Sequence, residues 1–370
     1  MARAVELALK GRPATAPNPC VGAVLARGSD ILAEGYHRRY GGPHAEVECL
    51  RQASERGADT EDATLYVTLE PCNHHGKTPP CTEAILAARI PEVMVGATDP
   101  NPDVAGGGVE RLRDAGVRVT TGVLEPACLE LIEDFMVWKT TDLPFTTLKL
   151  AATLDGRIAP RGGRRQAISC AESWADVQQY RAWAQAVLVG GNTLSLDNPS
   201  LTRRDVHGDE TDDQPLAVVV TSSLPDPDAD LALIARRPEQ TVLLTTPEAE
   251  KSLRADELRA KGVRVWALPT HSTPGQPTGR DLRQGLVRLR AELNVHRILC
   301  EGGGQLASSL LEQGLTHEFV LYLAPRALAD NTATPLLTGR SVADMAEALH
   351  FRIAHHHALG RDLKLVLKPE

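Results

Sequence analysis

Three side chains that bind transition metals, and one carboxylate, stand where short apolar segments give way to Gly or Pro. His44 and Glu46 lie in Gly41-Gly42-Pro43-His44-Ala45-Glu46, Cys72 ends Leu69-Glu70-Pro71-Cys72, and Cys81 follows Pro79-Pro80. One imidazole nitrogen and two thiolates make a three-ligand zinc site, which leaves a fourth position for water. Zinc lowers the pKa of such a water to about 7. Glu46 is only two residues beyond His44, an uncomfortable distance for a fourth ligand. It reaches the same water, however, and can carry its proton to a leaving amine. The positive end of a helix favours thiolate over thiol, and Cys81 sits at the start of a predicted helix.

An H-x-E motif followed by a P-C…C pair is the ligand set of zinc-dependent deaminases, whose water displaces an exocyclic amine. A closed structural zinc is the rival reading. His74 and His75 lie between the two cysteines and either offers a fourth ligand, although Glu46 then has no task.

Strand and helix signals alternate around these residues. Helices are predicted over 3–9, 45–54, 80–89, 109–115 and 125–138, with a hairpin over 21–25 and 31–35 and strands over 64–69, 93–97 and 117–121. A polar stretch with a proline, Thr140-Thr141-Asp142-Leu143-Pro144, closes this set and marks a domain boundary after residue 142. A second rhythm follows, with strands at 146–151, 186–189, 216–221, 241–245, 263–268, 297–300, 319–323 and 363–367. Helices are predicted there over 171–185, 281–293 and 304–313, and polar, Pro-rich loops over 203–215 and 269–279. Strands alternating with helices imply an α/β fold in both halves.

Two glycine turns stand out in the second half. One is Glu301-Gly302-Gly303-Gly304-Gln305-Leu306, between a buried strand and a helix; the other is Gly190-Gly191-Asn192-Thr193, leading to Asp197-Asn198-Pro199. Each is explained singly by a tight turn. Together, at the carboxyl ends of strands, they favour a cofactor cleft.

Composition narrows the function classes. The 370 residues carry a net charge of −8 with 4% aromatics, which argues against a chain that holds polyanions or stacks single-stranded bases. A 42% apolar content supports packed cores over disorder. The seven cysteines are odd in number and scattered, a poor disulfide framework that suits a reducing compartment. No segment is apolar and long enough to span a bilayer, and residues 1–13 lack the apolar stretch of a secretory signal. A cytoplasmic protein without membrane or nucleic-acid partners is expected.

The loop Pro71-Cys72-Asn73-His74-His75-Gly76-Lys77-Thr78-Pro79-Pro80-Cys81 separates the thiols by eight residues rather than the common two. It resembles the bifunctional deaminase–reductase of riboflavin biosynthesis. So do Pro17-Asn18-Pro19 with Val21-Gly22, Gly42-Pro43-His44-Ala45-Glu46, Tyr66-Val67-Thr68-Leu69-Glu70-Pro71-Cys72 and Asp99-Pro100-Asn101-Pro102. The resemblance extends over both halves through Leu148-Lys149-Leu150-Ala151-Ala152-Thr153-Leu154-Asp155-Gly156 and the two glycine turns. It implies a three-layer α/β/α cytidine-deaminase-like domain over residues 1–142 and a dihydrofolate-reductase-like α/β domain over 143–370.

The implied activity is hydrolytic deamination of 2,5-diamino-6-(5-phosphoribosylamino)pyrimidin-4(3H)-one to 5-amino-6-(5-phosphoribosylamino)uracil. NADPH-dependent reduction of the ribosyl to the ribityl group follows. The resemblance makes His44, Cys72 and Cys81 the ligands of one Zn2+, Glu46 the proton shuttle and Asn18 a substrate contact, with His74, His75 and Lys77 toward the substrate's phosphate. It puts Ala151, Ala167, Thr193, Asp197, Gly303, Gly304, Gln305 and Leu306 at NADPH, with Asp197 also assisting catalysis. Arg165, Arg181, Leu201, Arg204 and Glu301 fall at the substrate; Lys149 is a substrate contact or a snorkelling strand residue. The family usually carries Trp-Ile-Thr where this chain has Ala167-Ile168-Ser169, so an aromatic wall beside the cofactor is expected to be missing. That departure leaves a deaminase with a degenerate reductase domain as an alternative. A nucleic-acid base deaminase with an accessory domain and a non-enzymatic zinc module are further ones. The expected partner is a small phosphorylated pyrimidine, and a homo-oligomer, dimer or tetramer, is expected.

Overall fold

The computed structural model describes residues 1–74, 79–99, 107–162, 166–205, 207–271 and 279–370. The chain divides into two units, Met1–Asp142 and Leu143–Glu370, within the polar stretch at 140–144.

Unit 1 contains β1 (Gly22–Arg27), β2 (Asp30–Tyr36), β3 (Thr64–Leu69), β4 (Glu92–Ala97) and β5 (Arg118–Thr120) in the order β2-β1-β3-β4-β5. β1 is antiparallel to β2 and β3, while β3, β4 and β5 are parallel. Its helices are α1 (Ala2–Gly11), α2 (Ala45–Glu55), α3 (Cys81–Ala87), α4 (Gly108–Asp114), α5 (Glu125–Leu131) and α6 (Glu133–Thr140). Alternation along the strands assigns the faces. Ala23 and Leu25 pack with Cys49, Ile85 and Leu112 of α2, α3 and α4. Val24 and Ala26 point the other way, to Ala4 and Leu7 of α1. Cys128, Leu131, Phe135 and Trp138 cover the same side. Three layers result. The single helix expected over 125–138 is broken at Ile132, whose φ of −114° and ψ of 11° leave the helical region.

Unit 2 contains β6 (Phe145–Thr153), β7 (Arg157–Ala159), β8 (Ala186–Gly190), β9 (Leu216–Val220), β10 (Thr241–Thr245), β11 (Arg264–Ala267), β12 (Thr270–His271) and β13 (Gly279–Arg280). It continues with β14 (Arg297–Cys300), β15 (Glu318–Ala324), β16 (Thr334–Pro335), β17 (Phe351–Leu359) and β18 (Asp362–Pro369). The main sheet has the order β11-β10-β9-β8-β14-β6-β15-β18-β17; β12–β13 and β16–β7 form small ribbons. The sheet is parallel from β11 to β15 and antiparallel at β18 and β17. Helices α7 (Ala171–Trp183), α8 (Gly191–Asp197), α9 (Ala232–Ala235), α10 (Pro247–Glu250), α11 (Leu253–Ala260), α12 (Leu282–Leu293) and α13 (Gly304–Glu312) connect the strands. Strand β17 is missing from the sequence expectation because it is an edge strand: His355, His356 and His357 are all exposed, so no alternation marks it. Among the described residues no helix is long and apolar enough to cross a membrane.

Candidate functional site

In unit 1 the putting-together of the metal-binding residues depends on element ends. His44 is the residue before α2 and has extended backbone, so its ring hangs off the helix entrance, while Glu46 lies inside the first turn. α2 approaches β2 so closely that a β carbon at Gly35 would lie 2.4 Å from both the Ala45 carbonyl oxygen and the Cys49 nitrogen. Only glycine permits that approach. Cys72 follows β3, and Cys81 opens α3 after Pro80, a residue whose fixed φ suits a helix entrance.

The donors converge. His44 Nδ1 lies 3.3 Å from Cys81 Sγ and 3.5 Å from Cys72 Sγ, and the three ligand atoms fall within 4.8 Å of one another. Tetrahedral zinc with typical N and S distances has N···S edges of about 3.6 Å, so the donor set fits this ion. Among the described residues the metal-binding group is these three, and His74 is exposed. Glu46 is buried at 3% exposure and hydrogen-bonds with Cys81. Burial pushes its carboxyl up to about 6. Hydrogen bonding between the two thiols lowers Cys72 to about 4 and raises Cys81. The contact with Cys72 raises His44. The cluster therefore combines a thiolate, an imidazole and a dry carboxyl group.

Sequence reasoning missed His37, which is buried behind this cluster. Its Nδ1 lies 2.9 Å from the Pro43 carbonyl oxygen, an acceptor, so Nδ1 carries the proton and Nε2 accepts from Asn18 Nδ2 at 3.2 Å. Its ring also meets the His44 ring edge-on at 5.4 Å. His37 thus ties Asn18 to the segment that enters α2. No spacing motif contains it; its position at the end of β2, before the Gly41-Gly42 turn, is the only signal. Glu70, two residues before Cys72, accepts from the backbone nitrogens of Gly108, Val109 and Asp99 and so anchors the segment that leads into Cys72.

In unit 2 the two glycine turns lie side by side. β8 and β14 are adjacent and parallel, and both run out into glycine. A β carbon on Gly190 or Gly303 would meet nothing within 4 Å, so both positions border open space. Such a cradle at strand carboxyl ends fits the phosphates of a dinucleotide. Ala151 on β6 is half-buried, as are Thr193 and Asp197 on α8. Gly304 and Leu306 are buried at the start of α13, and Gln305 is exposed. Ala167 is exposed, and its carbonyl accepts from Arg326 at 3.1 Å.

Arg181 and Glu301 form a two-point fork, with Nε···Oε1 at 2.7 Å and Nη2···Oε2 at 3.1 Å. Arg181 Nη1 donates to the Thr202 carbonyl at 2.8 Å, so each of its three nitrogens already has a protein acceptor. Arg204 is exposed and donates to Glu210 and the Gly208 carbonyl. Leu201 packs in the core with Val187, Leu233 and Leu243, which makes it a core residue first. Lys149 lies over the rings of Trp174 and Tyr322, at 5.9 and 5.7 Å. Arg165, His75, Lys77 and the Pro100-Asn101-Pro102 part of the first-unit motif lie outside the described residues.

Comparison with known proteins covers both units. The family model described as the cytidine and deoxycytidylate deaminase zinc-binding region matches residues 1–97, and the RibD C-terminal domain model matches residues 144–365. A riboflavin biosynthesis protein RibD from Aquifex aeolicus is 39% identical over 100% of this chain and 97% of its own length. The Escherichia coli protein of that name is 36% identical over 99% and 98%. Among solved structures, RibD from Acinetobacter baumannii matches with a TM-score of 0.80 at 35% identity, covering 100% of this chain and 97% of its own. A Thermotoga maritima diaminohydroxyphosphoribosylaminopyrimidine deaminase/5-amino-6-(5-phosphoribosylamino)uracil reductase matches with a TM-score of 0.81 at 32% identity and the same coverage.

Proposed function

This chain belongs to the RibD family of riboflavin-biosynthesis proteins, bifunctional deaminase–reductases, and from that premise we propose how its own residues divide the two steps. Unit 1 deaminates the diaminopyrimidinone that carries a phosphoribosylamino group, and unit 2 reduces the ribosyl of the product. The observation that carries this reading is the convergence of His44 Nδ1, Cys72 Sγ and Cys81 Sγ beside the buried Glu46. These three donors would hold Zn2+, and the ion would supply an acidified water as nucleophile. Glu46, buried and with its pKa raised to about 6, is the group that would move a proton from water to the amine, which leaves as ammonia as the water oxygen takes its place on the ring. Asn18, fixed by His37, orients the pyrimidine.

In unit 2 the room beside Gly190 and Gly303 would receive NADPH, which would supply the hydride for C1′ of the opened, imine form of the ribose. Ala151, Ala167, Thr193 and residues 303–306 border the cofactor. Asp197 helps to protonate or polarise the opening sugar. Glu301, aimed by the fork of Arg181, meets the substrate together with the backbone around Leu201. Arg204, exposed and cationic, is the better phosphate ligand of the two arginines.

The test is one incubation of zinc-loaded protein with the pyrimidine phosphate and NADPH, following ammonia and NADPH absorbance together. Ammonia release followed by equimolar NADPH oxidation is expected. Ammonia without oxidation would refute the reductase half, and neither would refute both.

A further inference from the structure

A helix that presents a substrate-site arginine must be held at a fixed height and rotation, and α7 is held by charged groups in addition to the apolar packing of Val177 and Tyr180 against the sheet. On β18 the residues Asp362 and Lys364 are buried while Leu363 between them is exposed, so both point to the same face. Asp362 Oδ2 accepts from the Cys170 nitrogen and from Ser173 Oγ, both at 2.7 Å, at the entrance of α7. One turn later Asp176 Oδ2 accepts from Lys364 Nζ at 2.6 Å and from the hydroxyl of Tyr322 on β15, a residue with no exposed surface. Lys364 also covers the Tyr180 ring at 4.8 Å. Beyond these contacts, still on α7, Arg181 makes its fork with Glu301.

Buried ion pairs contribute little net stability, since desolvation offsets the attraction, and apolar side chains of similar volume often do as well. What they add is geometry. Apolar surfaces tolerate sliding by fractions of an ångström; a carboxylate that must satisfy a phenol from one strand and an ammonium from the next does not. We propose that Asp176, clasped by Tyr322 and Lys364, is a positioning residue for the reduction step: it sets the register of α7 on the sheet and thereby the placement of the Arg181–Glu301 fork. The inference rests on the reading that this fork meets the substrate in unit 2.

The test is steady-state reduction of the deaminated substrate by the full-length protein, with NADPH affinity measured by fluorescence titration. Asp176→Asn is expected to raise the substrate KM about tenfold with kcat changed much less, and to leave the NADPH dissociation constant and ammonia release unchanged. In an Arg181→Met background the same change is expected to add less than about twofold, because both act through one fork. A KM for Asp176→Asn within about twofold of the parent overturns the proposal, and so does an undiminished effect in the Arg181→Met background. Should Asp176→Asn fail to fold, Tyr322→Phe removes one clasp without stranding a charge; a KM rise of about threefold is expected, and none overturns the proposal. An unchanged KM for Arg181→Met alone refutes the placement of substrate at the fork, a separate failure.

Discussion

Replacing Gly35 by alanine probes the deamination site from outside its chemistry. A β carbon there would sit 2.4 Å from the Ala45 carbonyl oxygen, 2.4 Å from the Cys49 nitrogen and 2.9 Å from Cys49 Cα. All three atoms are backbone of α2, so no side-chain tip can swing away. Real β carbons essentially never approach within 3.0 Å of such an atom, and ordinary contact begins near 3.4 Å, so α2 must retreat from β2 by at least about 0.6 Å and by about 1.0 Å to relax fully. His44 precedes that helix and Glu46 is in its first turn, so both move relative to Cys72, which is carried by the end of β3. Overpacking of this kind destabilises by about 1–3 kcal/mol, and a shift near 1 Å costs about a hundredfold in rate. The assay is ammonia release by zinc-loaded G35A, beside reduction of separately supplied deaminated substrate. Deamination is expected to fall by about two orders of magnitude with reduction unchanged, since Gly35 belongs to the first unit. A folded G35A that deaminates within about threefold of the parent would refute the argument that backbone contact at Gly35 sets the site.

Glu46→Gln keeps the size of the side chain but cannot carry a proton; zinc content is expected to stay at one per chain while ammonia release drops by about 10²–10⁴-fold, measured on metal-loaded protein. Cys72→Ala leaves two donors, so loss of zinc on dialysis is expected with NADPH binding retained; retention of stoichiometric metal would exclude Cys72 as a ligand. His317 links stability to pH. Burial lowers its pKa to about 4, and its Nδ1 accepts from the Thr146 nitrogen at 3.0 Å, which keeps that nitrogen unprotonated. The unfolded chain binds this proton near pH 6.5, so the folded state loses stability as pH falls from about 6.5 toward 4, by at most about 3 kcal/mol. Urea midpoints of the parent and H317N, compared across that window, should diverge at high pH and converge as the pH falls; a constant difference contradicts the linkage.

Part of this protein is written locally. His44, Glu46, Cys72 and Cys81 were legible because each lies at an element end that neighbouring Gly or Pro residues announce, and because zinc accepts few donor types. The buried strands and their helices were legible from apolar periodicity, as at 64–69 and 297–300. Edge strand β17 was not, since water on both its faces erases alternation. Nor was the break at Ile132, a matter of backbone dihedrals inside a continuous apolar pattern.

The sequence by itself determined the candidate His and Cys donors, the neighbouring carboxylate Glu46, the two glycine turns and the alternation of strands and helices, because each of these is a local feature of one short segment. Tertiary structure alone decided that β8 lies beside β14 and so joins the two turns in one cradle. It alone brought His37 to Asn18, Glu301 to Arg181, and Tyr322 and Lys364 to Asp176. The partners of Arg181 and Asp176 lie 120 to 188 positions away in the chain. Contacts over such separations are made by the closing of a sheet and the seating of a helix upon it, and no periodicity or spacing within one segment encodes them.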